Sequence, residues 1–337
     1  MLRAAVIGLG YWGPNLARNF ASSQRIELRW LCDLDESRLS SMRSRYPSAR
    51  TSSDPEEVFN DPDLDAVAIA TPVSTHYEVA KRALLAGKHV LVEKPLAANS
   101  EQAQELMELA RARNLVLFVD HVFLYSPSVQ KMGQIYRSGE IGEIRFIDSV
   151  RINLGLIQND VNVLWDLAPH DLSIIDFLLG RAPVSVVAVG ESHVANGMVD
   201  VSYLHLDYGE VKAAVHLNWL SPVKIRHFMV GGSKKSILYN DLDRSESIKV
   251  YDRGVNVDSG EAINRRGLLV SYRSGDVLSP RLDSFEPLAQ MLGHFADCIE
   301  GGETPISGGD QGLRVVRILE AADRSLAHGG ERHPVQT

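Results

Sequence analysis

Gly8-Leu9-Gly10-Tyr11-Trp12-Gly13 is the stretch on which the fold of this chain turns. A Gly-x-Gly-x-x-Gly alone says little, because glycines mark many ordinary turns. Here residues 4–7 precede it as a short apolar strand. Residues 14–22 follow at helical spacing, with Leu16, Ala17, Phe20 and Ala21 on one face and Pro14 in the first turn. Asp33 stands twenty residues after Gly13, at the end of a second strand over 26–32. Strand, glycine loop, helix and acidic residue together are the context of a dinucleotide site. Gly8 permits the tight turn, Gly10 lets the backbone approach a pyrophosphate, and Gly13 lets helix and strand pack closely. The helix N-terminus offers unpaired N–H groups to the phosphates. Tyr11 and Trp12 belong to the same loop and are counted with the cofactor site. Asp33 is suited to accept from ribose hydroxyls and to repel a 2′-phosphate, and Asp35 adds to that. NAD is therefore expected over NADP. Arg38 is the counter-signal, although one turn into a helix it reads as a solvated side chain.

Outward from the loop, strand-like runs at 66–70, 89–92 and 115–119 alternate with helical patterns. One helix turns Val79, Ala80, Ala83 and Leu84 inward and stops at Gly87. The next starts at Ser100 and buries Ala103, Leu106, Met107 and Ala110. Such alternation implies a doubly wound parallel sheet with right-handed crossovers. After Asp120 the pattern changes. Helices are expected at 129–138 and 166–179 around a strand at 144–152. Strands follow at 184–190, 201–207, 211–219, 226–230 and 248–252, with a hairpin turn at Tyr208-Gly209-Glu210. Segment 253–284 is polar and reads as a long excursion, and two helices at 285–300 and 311–327 close the chain. The fold class is α/β. A Rossmann NAD-binding domain is expected over 1–121. A substrate-binding and oligomerisation domain with a large, mostly antiparallel open sheet is expected over 122–337, its last helix packing back toward the first domain.

Composition narrows the function. The chain has 337 residues, 45% of them apolar, and a formal net charge of −8. Interspersed charge of that sign argues against a nucleic-acid partner, which favours a basic face. No run approaches the roughly 18 apolar residues of a membrane span, and residues 2–9 lack the features of a secretory signal. Cys32 and Cys298 form neither a disulfide framework nor a Cys-x-x-Cys motif, so a reducing, cytoplasmic setting and no metal are expected.

Thr71-Pro72, with His76 beyond, and Glu93-Lys94-Pro95 both end parallel strands, beside the crevice where open α/β sheets bind ligands. A lysine there is able to hydrogen-bond or protonate a substrate oxygen. In Trp165-Asp166-Leu167-Ala168-Pro169-His170-Asp171, Asp166 and His170 share a helix face. Pro169, tolerated in a first turn, places the helix start near Asp166. Imidazole is the natural base near neutral pH, and a carboxylate supports it. Read alone, Lys94 fits a surface lysine equally well. Asp166 and His170, read alone, fit an N-cap and a packed histidine better than a catalytic pair.

Together these segments resemble the Gfo/Idh/MocA family. The matching pieces are Gly8-x-Gly10-x-x-Gly13, Ala70-Thr71-Pro72 with His76, Ala86-Gly87-Lys88-His89-Val90-Leu91-Val92-Glu93-Lys94-Pro95 and Asp166-x-x-x-His170. The resemblance covers essentially the whole chain. It implies hydride transfer between a sugar-like secondary alcohol and a nicotinamide. It also implies a homodimer or homotetramer formed through the second domain's open sheet, and a cis bond before Pro95. In it, Lys94 hydrogen-bonds the reacting oxygen, His170 is the acid/base and Asp166 lies beside it. Thr71, Pro72, His76 and Glu93 line the nicotinamide side. Many members carry glycines before the aspartate and between Asp and His. This chain has Val163-Leu164-Trp165 and Leu167-Ala168-Pro169 instead, which reshapes the pocket wall.

The run 10–16 and the run 159–166 look like the branch that includes nucleotide-sugar 3-dehydrogenases. Arg151, Asn153, Asn162, Asn218, Lys224 and Arg226 are candidate substrate contacts, the amides suited to sugar hydroxyls and Lys224 and Arg226 to a phosphate. The expected substrate is a UDP-N-acetylhexosamine-like sugar nucleotide oxidised at C3. Alternatives are an inositol or free-sugar dehydrogenase, a ketosugar reductase running the reverse reaction and an imine- or biliverdin-type reductase. The rival from another class is a non-catalytic NAD-sensing regulator.

Overall fold

The computed structural model describes residues 1–155, 157, 160–194, 197–257 and 270–336. The first 120 residues form β1 (Leu2–Ile7), α1 (Gly13–Ser22), β2 (Ile26–Cys32), α2 (Glu36–Arg45), β3 (Arg50–Ser52), α3 (Pro55–Phe59), β4 (Ala66–Ile69), α4 (Val73–Leu85), β5 (His89–Glu93), α5 (Ser100–Ala112) and β6 (Leu117–Asp120). Its six strands run parallel in the order β3-β2-β1-β4-β5-β6. β4 is buried at every position, as a strand covered on both faces must be. The chain leaves β1 toward β3 and returns to β4, so the order reverses between β1 and β4. The crevice at that reversal is where such sheets take ligands.

A short 3₁₀ turn over Val122–Tyr125 leads into α6 (Pro127–Arg137), β7 (Ile144–Leu154), α7 (Val163–Leu179), β8 (Ser185–Glu191), β9 (Val201–Asp207), β10 (Lys212–Asn218), β11 (Leu220–Gly232), β12 (Ser236–Asn240), β13 (Ile248–Val257), β14 (Val270–Leu278), α8 (Pro287–Gly301), α9 (Gly309–Ala327) and β15 (His333–Pro334). These strands form one nine-stranded sheet, ordered β14-β13-β12-β11-β7-β10-β9-β8-β15. Among the described residues only the β7–β10 pair of this sheet is parallel. Gly209, at φ +85°, turns the β9–β10 hairpin as its sequence indicated. The expected excursion over 253–284 is corrected in part. β13 and β14 pair antiparallel there, and residues 258–269 lie outside the described residues. Asn159, in the run quoted above, lies outside them too.

α7 begins at Val163, three residues before the expected point, and Pro169 sits inside it. Asn162 sets the start, because its Oδ1 accepts from Trp165 N at 3.1 Å. An interior proline costs about 3 kcal/mol. Val163, Leu164 and Trp165 are all buried in the added turn. At about 1.5–3 kcal/mol for each large apolar side chain, that burial outweighs the proline.

α9 touches both sheets. Gly312 lets it approach β6, since a Cβ there would lie 2.8 Å from Val119. On its other side Arg314 pairs with Asp176 of α7 at 2.6 Å, and Ser325 Oγ accepts from Ala188 N of β8 at 2.8 Å.

Candidate active site

The glycine loop is tight where it meets protein and open where it meets the crevice. A Cβ on Gly13 would lie 1.9 Å from Gly8 O, and one on Gly8 2.5 Å from Ala70 O, so neither position admits a side chain. A Cβ on Gly10 would meet only the end of Arg38, at 3.7 Å. Open backbone at the start of α1 fits a dinucleotide pyrophosphate. Asp33 is tied to this loop. Its Oδ2 accepts from Leu9 N at 2.6 Å and its Oδ1 from Asp35 N at 2.8 Å, while Arg38 Nη1 stands 3.5 Å from Oδ2. Tyr11 is 84% exposed. Trp12 is used inside the protein, where Nε1 donates to Asp120 Oδ2 at 2.6 Å and braces the loop against the end of β6.

At the end of β4, Thr71 is half-buried and Pro72 exposed. His76 is fully buried, with Nδ1 2.9 Å from Pro95 O and Nε2 2.8 Å from Thr71 O. It staples the ends of β4 and β5 together. The Lys94–Pro95 bond is cis.

Lys94 Nζ donates to Asp166 O at 2.8 Å and to Asp166 Oδ1 at 3.2 Å. Asp166 Oδ2 accepts from Trp219 Nε1 at 3.1 Å. His170, one turn along α7, packs edge-on against Phe123 with ring centroids 4.8 Å apart. Its Nδ1 is buried without a hydrogen-bond partner. Burial first, then the charges of Lys94 and Arg151, hold His170 well below the usual histidine range. It is therefore a neutral imidazole, the form a base needs.

Glu93 and Asp120 end neighbouring strands and pair in register. Glu93 Oε2 and Asp120 Oδ1 are buried without partners, as are both ring nitrogens of His121. Burial and then the charge of Asp120 push Glu93 well above the carboxylate range. Burial pushes Asp120 up to about 6, against the pull of Trp12 and Lys94. Burial and then Lys94 push His121 down to about 3.

The second domain's expected contacts divide. Arg151 is buried in a bidentate pair with Asp171 at 2.7 and 3.1 Å and lies over the Phe123 ring, so it supports the site from behind. Asn162 is occupied as the α7 cap and by Asp323 at 3.3 Å. Arg226 pairs with Asp241 at 2.9 Å, yet its Nε is buried without a partner. Asn153 is half-buried near the end of β7, and Lys224 is exposed where the β7–β11 register shifts. Thus Glu93, Lys94, Asp166 and His170 come together, while Trp12, His76, Arg151 and Asn162 are engaged inside the protein. Sequence reasoning missed Asp120, His121, Phe123 and Trp219. The first two were findable, since they end β6 as Glu93-Lys94 ends β5. A cavity of about 560 Å³ lies elsewhere, lined by Arg25, Tyr125, Lys131, Arg281 and His294, and holds none of these groups.

Known proteins identify the family. Residues 2–121 match the oxidoreductase family with an NAD-binding Rossmann fold, GFO_IDH_MocA, and residues 129–238 match the C-terminal domain of the same family. UDP-N-acetylglucosamine 3-dehydrogenase of Acidithiobacillus ferrooxidans is 32% identical over 58% of this chain and 60% of its own. The NAD-dependent scyllo-inositol 2-dehydrogenase of Bacillus subtilis is 27% identical over 97% of this chain and 95% of its own. A crystal structure of a putative oxidoreductase from Magnetospirillum magnetotacticum MS-1 superposes with a TM-score of 0.82 at 28% identity, covering 95% of this chain and 99% of that one.

Proposed function

This chain belongs to the Gfo/Idh/MocA oxidoreductase family, and from that premise we propose that it uses NAD to oxidise a ring hydroxyl of a nucleotide sugar, a UDP-N-acetylhexosamine at C3. The observation that carries the reading is Lys94, just after β5, held on Asp166 near the start of α7, with a neutral His170 one turn along that helix. The Acidithiobacillus relative named for UDP-N-acetylglucosamine supports the substrate class. Inositol or free-sugar oxidation is the second reading, favoured by the Bacillus relative that spans nearly the whole chain.

NAD, when bound, supplies the hydride acceptor. The glycine loop and the start of α1 hold its pyrophosphate, and Asp33 meets the adenosine ribose and disfavours a 2′-phosphate. Thr71, Pro72 and Glu93 flank the nicotinamide end. Lys94 Nζ donates to the substrate hydroxyl oxygen and stabilises the negative charge that grows there. His170 takes the hydroxyl proton as general base. Run backwards, the same groups protonate and polarise a ketone, so ketosugar reduction uses the same site. Asn153, Lys224 and Arg226 take the outer part of the substrate. Homodimers or homotetramers form through the open face of the large sheet, which exposes Phe146, Val189 and Tyr203. Two free, buried cysteines suit a reducing, cytoplasmic setting.

NADH formation is the test, followed with UDP- and dTDP-sugars, hexoses and inositols, each alcohol with NAD and each ketone with NADH. UDP-N-acetylhexosamines are expected to turn over best. Turnover of inositols alone would select the second reading. Tight NAD binding with no turnover of any compound would leave a cofactor-sensing regulator instead.

A further inference from the structure

The Asp166 carboxylate is held from two sides. Oδ1 faces Lys94 Nζ at 3.2 Å, and Oδ2 accepts from Trp219 Nε1 at 3.1 Å. Trp219 comes from the short link between β10 and β11, far from either motif in sequence. Its side chain is fully enclosed, at 1% exposure. Its main chain is fixed at both ends, N donating to Asp200 O at 3.0 Å and O accepting from Gly155 N at 2.9 Å. Gly155 also makes room for the ring. A Cβ there would lie 2.6 Å from Trp219 Cδ1 and 3.4 Å from Nε1. An indole moves about only two side-chain torsions, so a ring packed this way is a rigid donor. A buried indole N–H requires an acceptor, and Asp166 Oδ2 is the one it has.

Lysine's ammonium has three hydrogens. Asp166 takes two of them, through its carbonyl and through Oδ1. The third points wherever the first two leave it. We propose that Trp219, seated on Gly155, is a positioning residue that holds the Asp166 carboxylate on Lys94 and thereby aims the remaining Lys94 N–H at the substrate oxygen. The inference rests on the reading of Lys94 as the group that contacts that oxygen. A misplacement of about 1 Å at a reacting centre costs on the order of 10²-fold in rate.

Trp219→Phe removes the donor and keeps most of the ring, and Gly155→Ala displaces the ring by a second route. With UDP-N-acetylglucosamine as substrate, each is expected to lower kcat about 10-fold or more, with NAD affinity within about twofold of the parent. The readout that does not depend on turnover is amine reactivity. The NAD-free protein is labelled with acetic anhydride, and acetylation of Lys94 is measured by mass spectrometry against exposed Lys234. Trp219→Phe is expected to raise Lys94 labelling about threefold, and Asp166→Ala to raise it further. Added to Asp166→Ala, Trp219→Phe is expected to change nothing more, because its effect runs through that carboxylate. An equal increase in both backgrounds would show loosened packing rather than positioning and overturn the proposal. So would unchanged labelling in Trp219→Phe and Gly155→Ala alike. If no sugar turns over but the masking by Asp166→Ala holds, the positioning stands and the dehydrogenase reading fails. If Lys94→Ala abolishes turnover while Trp219→Phe leaves kcat and labelling intact, the reverse holds.

Discussion

The nucleotide end and the chemical end of the crevice are built on opposite plans. At the nucleotide end the partners are close in sequence and mutually satisfied. Asp33 takes the N–H groups of Leu9 and Asp35, and Gly13 closes on Gly8. At the chemical end Lys94 after β5, Asp120 and His121 at the end of β6, Asp166 and His170 on α7, and Trp219 between β10 and β11 arrive from four places in the chain, and several of their polar atoms are buried without a partner. Each such atom costs about 1–3 kcal/mol. The first region is a finished cradle that the fold completes by itself. The second is a set of groups held at a cost, as functional sites commonly are.

If the two ends do separate tasks, substitutions should split binding from turnover. Lys94→Ala carries the largest expected effect, a loss of about 10³-fold or more in kcat with NAD affinity nearly unchanged, because it removes the donor to the charge that forms in the transition state. Steady-state NADH formation and calorimetric NAD titration on one preparation give both numbers. A parallel loss of both would erase the contrast between the ends.

The nucleotide end should respond in the opposite sense and less steeply. Asp33→Ala is expected to weaken NAD about 10-fold and to relax the preference against NADP, with kcat at saturating NAD little changed. The side chain also holds Leu9 N at 2.6 Å, so two causes are mixed in that variant. Asp33→Asn separates them, keeping the acceptor for Leu9 and losing the charge. If Asp33→Asn gains NADP affinity as fully as Asp33→Ala, charge repulsion sets the preference. If only Asp33→Ala does so, loop geometry sets it.

The same contrast explains what the sequence made legible. β1, the glycine loop, α1 and Asp33 lie within one contiguous stretch whose spacing is itself the signal. Lys94, and Asp166 with His170, were legible through the family resemblance of the segments that carry them, since each read alone fits a structural role at least as well. Trp219 carries no local signature, because its role exists only once β10 has brought it against α7. The start of α7 was misplaced because the cost of an interior proline was weighed without the cap at Asn162 and the burial of the turn it opens. The β13–β14 hairpin escaped because its described side chains leave Val255, Tyr272 and Val277 exposed, and an edge hairpin needs no apolar run. Arg151 reads in sequence as a substrate contact, and only the fold reveals its pairing with Asp171.

A stability measurement, with no turnover in it, tests the cost assigned to the chemical end. Asp120 is buried beside Glu93 and titrates at about 6, whereas an unfolded chain releases that proton near pH 4. Between those values the folded protein keeps a proton that the unfolded chain has lost. This carboxyl's contribution to stability therefore falls as pH rises through that window, and its full cost is present above pH 6. Asp120→Asn keeps an acceptor for Trp12 Nε1 and cannot ionise. It should match the parent near pH 4 and exceed its stability by about 1–3 kcal/mol near pH 8, read as a difference in urea midpoints. His121, held down to about 3, acts in the opposite direction, adding stability as pH rises toward its ordinary value of about 6.5. That term is common to parent and variant and cancels in the difference, whereas Glu93, which the Asp120 charge pushes up, is relieved in the variant and adds to the difference with the same sign. A difference that stays flat between the two pH values would mean that Asp120 is solvated in solution, and the chemical end would then be no more costly than the cradle opposite it.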